Sequence, residues 1–298
     1  MIHGYIPPHR FLPYLSWTQI DALPDKANTV IVLPVGAIEQ HGPHLPCSVD
    51  SVIASGVLGK ALEKLPTGIR AFGMSPITYG KSDEHLHFPG TMTLTGPTLL
   101  ATVTELGESV YRAGFRKLVF ANGHGGQPQV LEMAARELRL RHGDFLIVPF
   151  HVSRLPNASG KFISSEERNL AMHAGHSETA LMLALAPSTV HMESAVRNMP
   201  PVFPSEILSR DGRPACAWTA RDFGPSGIIG DPLGATAEQG LEILDTLSDS
   251  WVTAITDLFH MQWLVRDESS WGCGHHSGHI ESQGVNGIKP TAKAAWQK

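Results

Sequence analysis

Cysteine is scarce in this chain of 298 residues, which has only Cys47, Cys216 and Cys273, odd in number and far apart. That pattern excludes a disulfide framework and fits a reducing compartment. No window approaches the roughly 18 to 20 apolar residues needed to span a bilayer. The opening MIHGYIPPHRFLPYLSW has no basic region followed by an apolar stretch, so it does not read as a signal peptide. Together these absences predict a cytoplasmic protein with no membrane partner. Basic runs are missing too, and the net charge is −5, so no nucleic-acid partner is expected. No internal repeat is visible. What the chain does have is histidine, 16 residues in all, many beside Gly, Pro or an acidic residue.

Short apolar runs alternate with helical periodicity. Strands are predicted over 29–35 (TVIVLPV) and 144–150, with a strand leading into a loop over 70–80 and a strand running into a Gly-rich turn over 115–126. Helices are predicted over 51–65, 96–114, 129–143 and 177–187. Gly114 should close the second of these helices, Ser177 should cap the fourth and Pro187 should stop it. A Gly-rich turn then feeds a long helix within 227–259. Such alternation argues for a parallel sheet flanked by helices, with about 1–262 forming one domain. Beyond residue 262 periodicity fails, and 263–298, with His275, His276 and His279, reads as a loose tail.

Histidines and carboxylates gather where strands end. Glu39, His41, His44 and Asp50 follow the first strand, on a loop stiffened by Gly and Pro, in the crevice where open parallel sheets bind ligands. An exposed polar loop is the bland alternative; for the set as a whole a ligand role reads better. NGHGG (122–126) follows another strand. Glycines at a helix N-terminus can cradle phosphate, yet the spacing fits neither dinucleotide-binding fingerprint nor P-loop, and no Lys follows. His124 held between glycines suits a metal instead. HAGHSET (173–179) brings His173, His176 and Glu178, although the helix dipole alone would explain Glu178. Glu84, His85 and His87 lie in 79–91, where ordinary loop hydrogen bonding is a sufficient reading.

Taken in order, these segments resemble the creatininase (creatinine amidohydrolase) family. The resemblance rests on E-x-H-x8-D (Glu39, His41, Asp50), G-x-S-x-E-H (Gly80, Ser82, Glu84, His85), FPGT (88–91), NGHGG, HAG-x-x-ET and GDP-x-x-A-T-A-E (230–238), and covers about residues 16–262. It implies a three-layer α/β/α domain around a mostly parallel sheet, often in a hexamer. It also implies two divalent metals per subunit, zinc or manganese with iron also admissible, and hydrolysis of a non-peptide C–N bond by a metal-bridging hydroxide. Residue by residue, Glu39 and His124 resemble ligands of one metal, His41 of the other, and Asp50 the bridge.

The match has one gap. Creatininase carries a glutamate ligand two places after the NGH histidine, where this chain has Gly126. Glu178 is the replacement the resemblance suggests, as in relatives with NGHGG, and His176 is its rival. His173 aligns with a histidine that shuttles protons, so the catalytic assignments are His173 and Glu178. VPFHVSRLP (148–156) stands where creatininase-like members place tryptophans, which argues against creatinine itself. A small-molecule amide, cyclic or a formamide, is the expected substrate. Peptide trimming of the mycofactocin-maturation type is the alternative, and a phosphate- or nucleotide-binding module the weakest reading.

Overall fold

The computed structural model describes residues 2–205, 207–210 and 214–262. The tail expected over 263–298 lies outside the described residues. Four strands, β1 (Val30–Val35), β2 (Ala71–Gly73), β3 (Lys117–Asn122) and β4 (Leu146–His151), form one sheet in the order β2-β1-β3-β4, and every pairing is parallel. The helices are α1 (Trp17–Asp21), α2 (Val49–Lys64), α3 (Gly96–Arg112), α4 (Pro128–Arg141), α5 (Ser165–Leu170), α6 (His176–Leu185) and α7 (Ala237–His260).

Strand alternation sorts the core into two layers. Val30, Val32, Val119 and Ala121 face α2, α6 and α7, where Val57, Leu62, Leu181, Ile243 and Trp251 are buried. Ile31, Leu33, Leu118 and Phe120 face α3 and α4, against Leu99, Val103, Leu131 and Leu138. The result is the expected three-layer α/β/α arrangement. Among the described residues, no helix is long and apolar enough to cross a membrane.

Two local expectations shift. The strand predicted over 70–80 is only three residues long, because Pro76 has no N–H to continue the ladder. Pairing resumes at Ile77, whose N–H donates to the Pro34 carbonyl while its own carbonyl accepts from the Gly36 N–H. Ser177 does not cap α6, which starts one residue earlier with Gly175 at the cap position. A carboxylate from α5 takes over the capping, since Glu167 Oε1 accepts the His176 N–H at 3.0 Å. Gly114, with φ at +98°, closes α3 as expected.

α6 is fixed in depth by α7. A Cβ at Gly240 of α7 would collide with the Ala180 carbonyl of α6, so the two backbones touch there. One turn away, the His176 ring and the Gln239 side chain are joined by a 2.9 Å hydrogen bond.

Sheet order also locates a crevice. From β1 the chain returns through α2 to β2 on one side, then crosses through α3 to β3 on the other. The loops leaving β1 and β3 therefore diverge, and the gap between their carboxyl ends is where such sheets bind ligands.

Candidate metal centre

The loop after β1 enters this gap tightly. A Cβ at Gly36 would clash with Ser51 of α2, and one at Gly123 with the Asp50 carbonyl, so both glycines permit close backbone approach. Asp50 lies in the first turn of α2, where the helix dipole favours a carboxylate. Glu39, His41, Asp50 and His124 thereby converge, each 3% exposed or less, which leaves almost no water to solvate two carboxylates.

The geometry of this group could serve a cation. Asp50 turns Oδ1 to His41 Nε2 at 3.4 Å and Oδ2 to His124 Nδ1 at 3.2 Å. Glu39 turns Oε2 to His124 Nδ1 at 3.1 Å and Oε1 to His41 Nε2 at 3.9 Å. The far nitrogens are tied to backbone carbonyls. His41 Nδ1 donates to Glu39 O at 3.1 Å, and His124 Nε2 donates to Lys81 O at 3.0 Å. With the protons assigned there by the hydrogen-bond network, both inward nitrogens present lone pairs to carboxylates. His41 Nε2 and Asp50 Oδ2 are fully buried and have no hydrogen-bond partner. Something positive must stand between them, either a proton on each imidazole or a metal ion. Burial acts to lower the His41 pKa, but Asp50, Glu178 and Glu39 push it up to about 9. His124 is likewise raised well above its ordinary value, chiefly by Glu39 and Asp50 acting against burial. The mixed imidazole and carboxylate donors fit a divalent cation that would displace those protons.

A second donor group joins the first. His41, His173 and Glu178 can present ligand atoms within 4.8 Å of one another, as can Glu39, His41 and Asp50. Glu178 accepts the Ala174 N–H at 2.6 Å, across a turn in which Ala174 adopts φ of +54°. Burial, with Asp50 and Glu39 beyond it, raises the Glu178 pKa to about 7 despite the opposing pull of His41. The His173 ring lies between those of His41 and His85, with centroids 4.1 and 4.3 Å away. Its Nε2 donates to Gln40 O at 2.6 Å, which leaves the Nδ1 lone pair 3.6 Å from Glu39 Oε1. Burial holds His173 well below its ordinary pKa. His176 is elsewhere, bonded to Gln239, and His44 bonds Thr179 Oγ1 at 3.0 Å.

Four residues without an assigned role also reach this site. Ser82 Oγ donates to Glu39 Oε2. Gln40 Nε2 donates to His85 Nδ1 at 2.8 Å, so His85 carries its proton on Nε2, 3.4 Å from Glu39 Oε1. Glu84 Oε1 lies 3.2 Å from His124 Nε2. The density of Glu and His in 79–91 was the available signal; no local periodicity says that this loop folds over the crevice. His87, from the same loop, is exposed.

Two histidines near the centre, buried His44 and half-buried His151, make stability depend on pH. Burial lowers His44 to about 4, helped by His41, and lowers His151 to about 4, helped by Arg154 and His124 against Asp50. Unfolding returns each to about 6.5, so the unfolded chain binds more protons between pH 6.5 and 4. Stability should therefore fall as pH drops through that window, by about 1.4 kcal/mol per pH unit for each imidazole. Denaturant midpoints of metal-free protein at pH 7 and 5 measure the loss, and His151→Phe should remove its share. An unchanged slope in that variant would refute the assignment to His151.

A three-layer α/β/α domain with buried imidazoles and carboxylates at its switch point has the donor set of a metal-dependent enzyme. The creatininase family profile, described as creatinine amidohydrolase, matches residues 13–255, and the chain belongs to this family. The mycofactocin precursor peptide peptidase of Mycolicibacterium smegmatis is 35% identical over 217 residues, 72% of this chain and 79% of that one. The creatinine amidohydrolase of Pseudomonas putida is 31% identical over 270 residues, 84% and 97% of the two chains. A solved manganese creatininase superposes with a TM-score of 0.67 at 29% identity, covering 85% of this chain and 99% of its own. A zinc–zinc form of a creatininase variant also gives 0.67 at 29%, covering 84% and 98%.

Proposed function

We propose that this creatininase-family enzyme uses two divalent cations, zinc or manganese, to hydrolyse a non-peptide C–N bond in a small cyclic amide or formamide. The observation that carries the reading is the pair of inward imidazole lone pairs facing both oxygens of one buried carboxylate. Asp50 would serve both cations, Glu39 and His124 one of them, and His41 and Glu178 the other. When bound, the cations polarise an amide carbonyl and lower the pKa of a water molecule. We assign the domain to 1–262, acting in the cytoplasm as a homo-oligomer, with a hexamer suggested by the family resemblance.

His173 is the proton carrier in this scheme. Gln40 O holds the proton on Nε2, so Nδ1 is free to accept one from the attacking water and pass it to the departing nitrogen. Its depressed pKa keeps it neutral at rest, which is the form a base requires. Gln40 also orients His85, so one side chain and its backbone set the tautomers of both rings flanking Glu39. His173→Ala is expected to keep both metals by elemental analysis while turnover falls about 10²- to 10⁴-fold. Loss of a metal in that variant would make His173 a ligand rather than a proton carrier.

A peptide substrate is the second reading, favoured by 35% identity to a mycofactocin precursor peptide peptidase. The same cations and ligands would serve, so the pocket alone decides. The deciding experiment measures metal content beside a panel of cyclic amides, formamides and short peptides, with and without chelator. Faster cleavage of peptides selects the second reading, and hydrolysis indifferent to chelator removes both.

A further inference from the structure

His124 is held from both sides, and the group on its outer side comes from a different loop. Its Nδ1 faces Glu39 and Asp50, whereas Nε2 meets two acceptors, Lys81 O at 3.0 Å and Glu84 Oε1 at 3.2 Å. Glu84 belongs to a short 3-10 turn, Asp83–His85, after β2, while His124 follows β3. The Glu84 carboxylate fills the space that a side chain at Gly126 would need: a Cβ there would collide with Glu84 Oε1 and lie 2.5 Å from His124 Nε2. Glu84 can reach the ring only because residue 126 has no side chain.

We infer that Glu84 is a positioning residue of His124, admitted by Gly126, and that its charge beside the Nε2–H already held by the Lys81 carbonyl strengthens Nδ1 as a donor to a cation. An acceptor on the outer nitrogen fixes tautomer and ring orientation, and a carboxylate raises the basicity of the ligating nitrogen beyond what a backbone carbonyl achieves. Glu84 is not itself a ligand of that cation, since its oxygen contacts the nitrogen on the far side of the ring. The Glu39, Glu84 and His124 group could alternatively hold an ion of its own, which is the competing account. The inference rests on the dimetal reading above.

The test reads metal binding rather than turnover. Wild-type protein loaded with Co²⁺ is titrated with a competing chelator while its visible absorption is followed, and Glu84→Gln, Glu84→Ala and Gly126→Ala are treated alike. Removing such a partner typically costs about 10- to 100-fold in metal affinity. Glu84→Ala should therefore release one of two cations that much more readily, with a changed spectrum, and Glu84→Gln should fall between it and wild type. Gly126→Ala should weaken the same cation both by displacing Glu84 and by crowding His124 Nε2 directly, so its loss should be at least that of Glu84→Ala. If Glu84→Ala does not fold, Glu84→Gln carries the measurement. Wild-type affinity and spectrum in those variants, beside a wild type that holds two cations, would overturn the inference and leave the dimetal reading standing. So would loss of a third cation with the first two unaltered. A wild type that binds no Co²⁺ would defeat the dimetal reading itself.

Discussion

Asp50→Ala protein is expected to lose both cations together, and measurable hydrolysis with them. Asp50 turns one oxygen to His41 and the other to His124, so its removal takes a donor from both sites at once. Its pKa is held well below the ordinary carboxylate range by His41 and His124, against the upward pull of burial. The side chain is thus an anion at any working pH. The loss of affinity should exceed the roughly 10- to 100-fold that follows removal of a group merely supporting a ligand. Glu39→Ala, by contrast, should mainly empty the site shared with His124. Elemental analysis of both proteins, purified identically, gives the comparison. Two cations per chain in Asp50→Ala, with activity intact, would remove Asp50 from the site.

Glu178→Gln is expected to weaken one cation and spare the other, and to abolish most activity even when metal is supplied in excess. In the proposed ligand set His173 is kept as proton carrier and Glu39 serves the other cation. Without Glu178 the site at His41 would then retain only His41 and the shared Asp50, and two protein donors seldom hold a divalent ion well. The substitution keeps the shape and the bond to the Ala174 N–H but removes the charge. His176→Ala is the paired control. It should cost only about 1 kcal/mol of stability, the usual worth of a hydrogen bond such as that to Gln239, and leave metal content unchanged. If His176→Ala loses a cation while Glu178→Gln keeps two, the assignment must be reversed.

The α/β/α layering was legible in the sequence because buried parallel strands are continuous apolar runs, and TVIVLPV needs no tertiary context to be recognised. Boundaries failed at Pro76, a local breaker inside the predicted span, and where a distant group intervened, Glu167 capping α6 in place of Ser177. The site divides in the same way. Glu39, His41 and Asp50 are close in sequence, and a stiff loop after a strand points to the crevice. His124 and Glu178 could be placed by the same strand-end and helix-start logic, with the family resemblance supplying their pairing. Ser82, Glu84 and His85 could not, because nothing local says that a loop after a three-residue strand closes over Glu39. Gln40 was hidden differently: its neighbours drew attention as donors, while its contribution is to orient two imidazoles.

The backbone contact at Gly240 makes α7 a depth stop for α6. Ala180 rests on it, and Glu178 lies half a turn before that point on the same helix, so its reach into the crevice is set by a helix that supplies none of the proposed ligands. Small adjustments of α7 would move this carboxylate against the fixed Glu39, His41 and Asp50 set, as a micrometer screw moves one jaw of a vice. Substitutions at Gly240 would therefore shift Glu178 relative to the β1 loop without touching Glu39, His41 or Asp50.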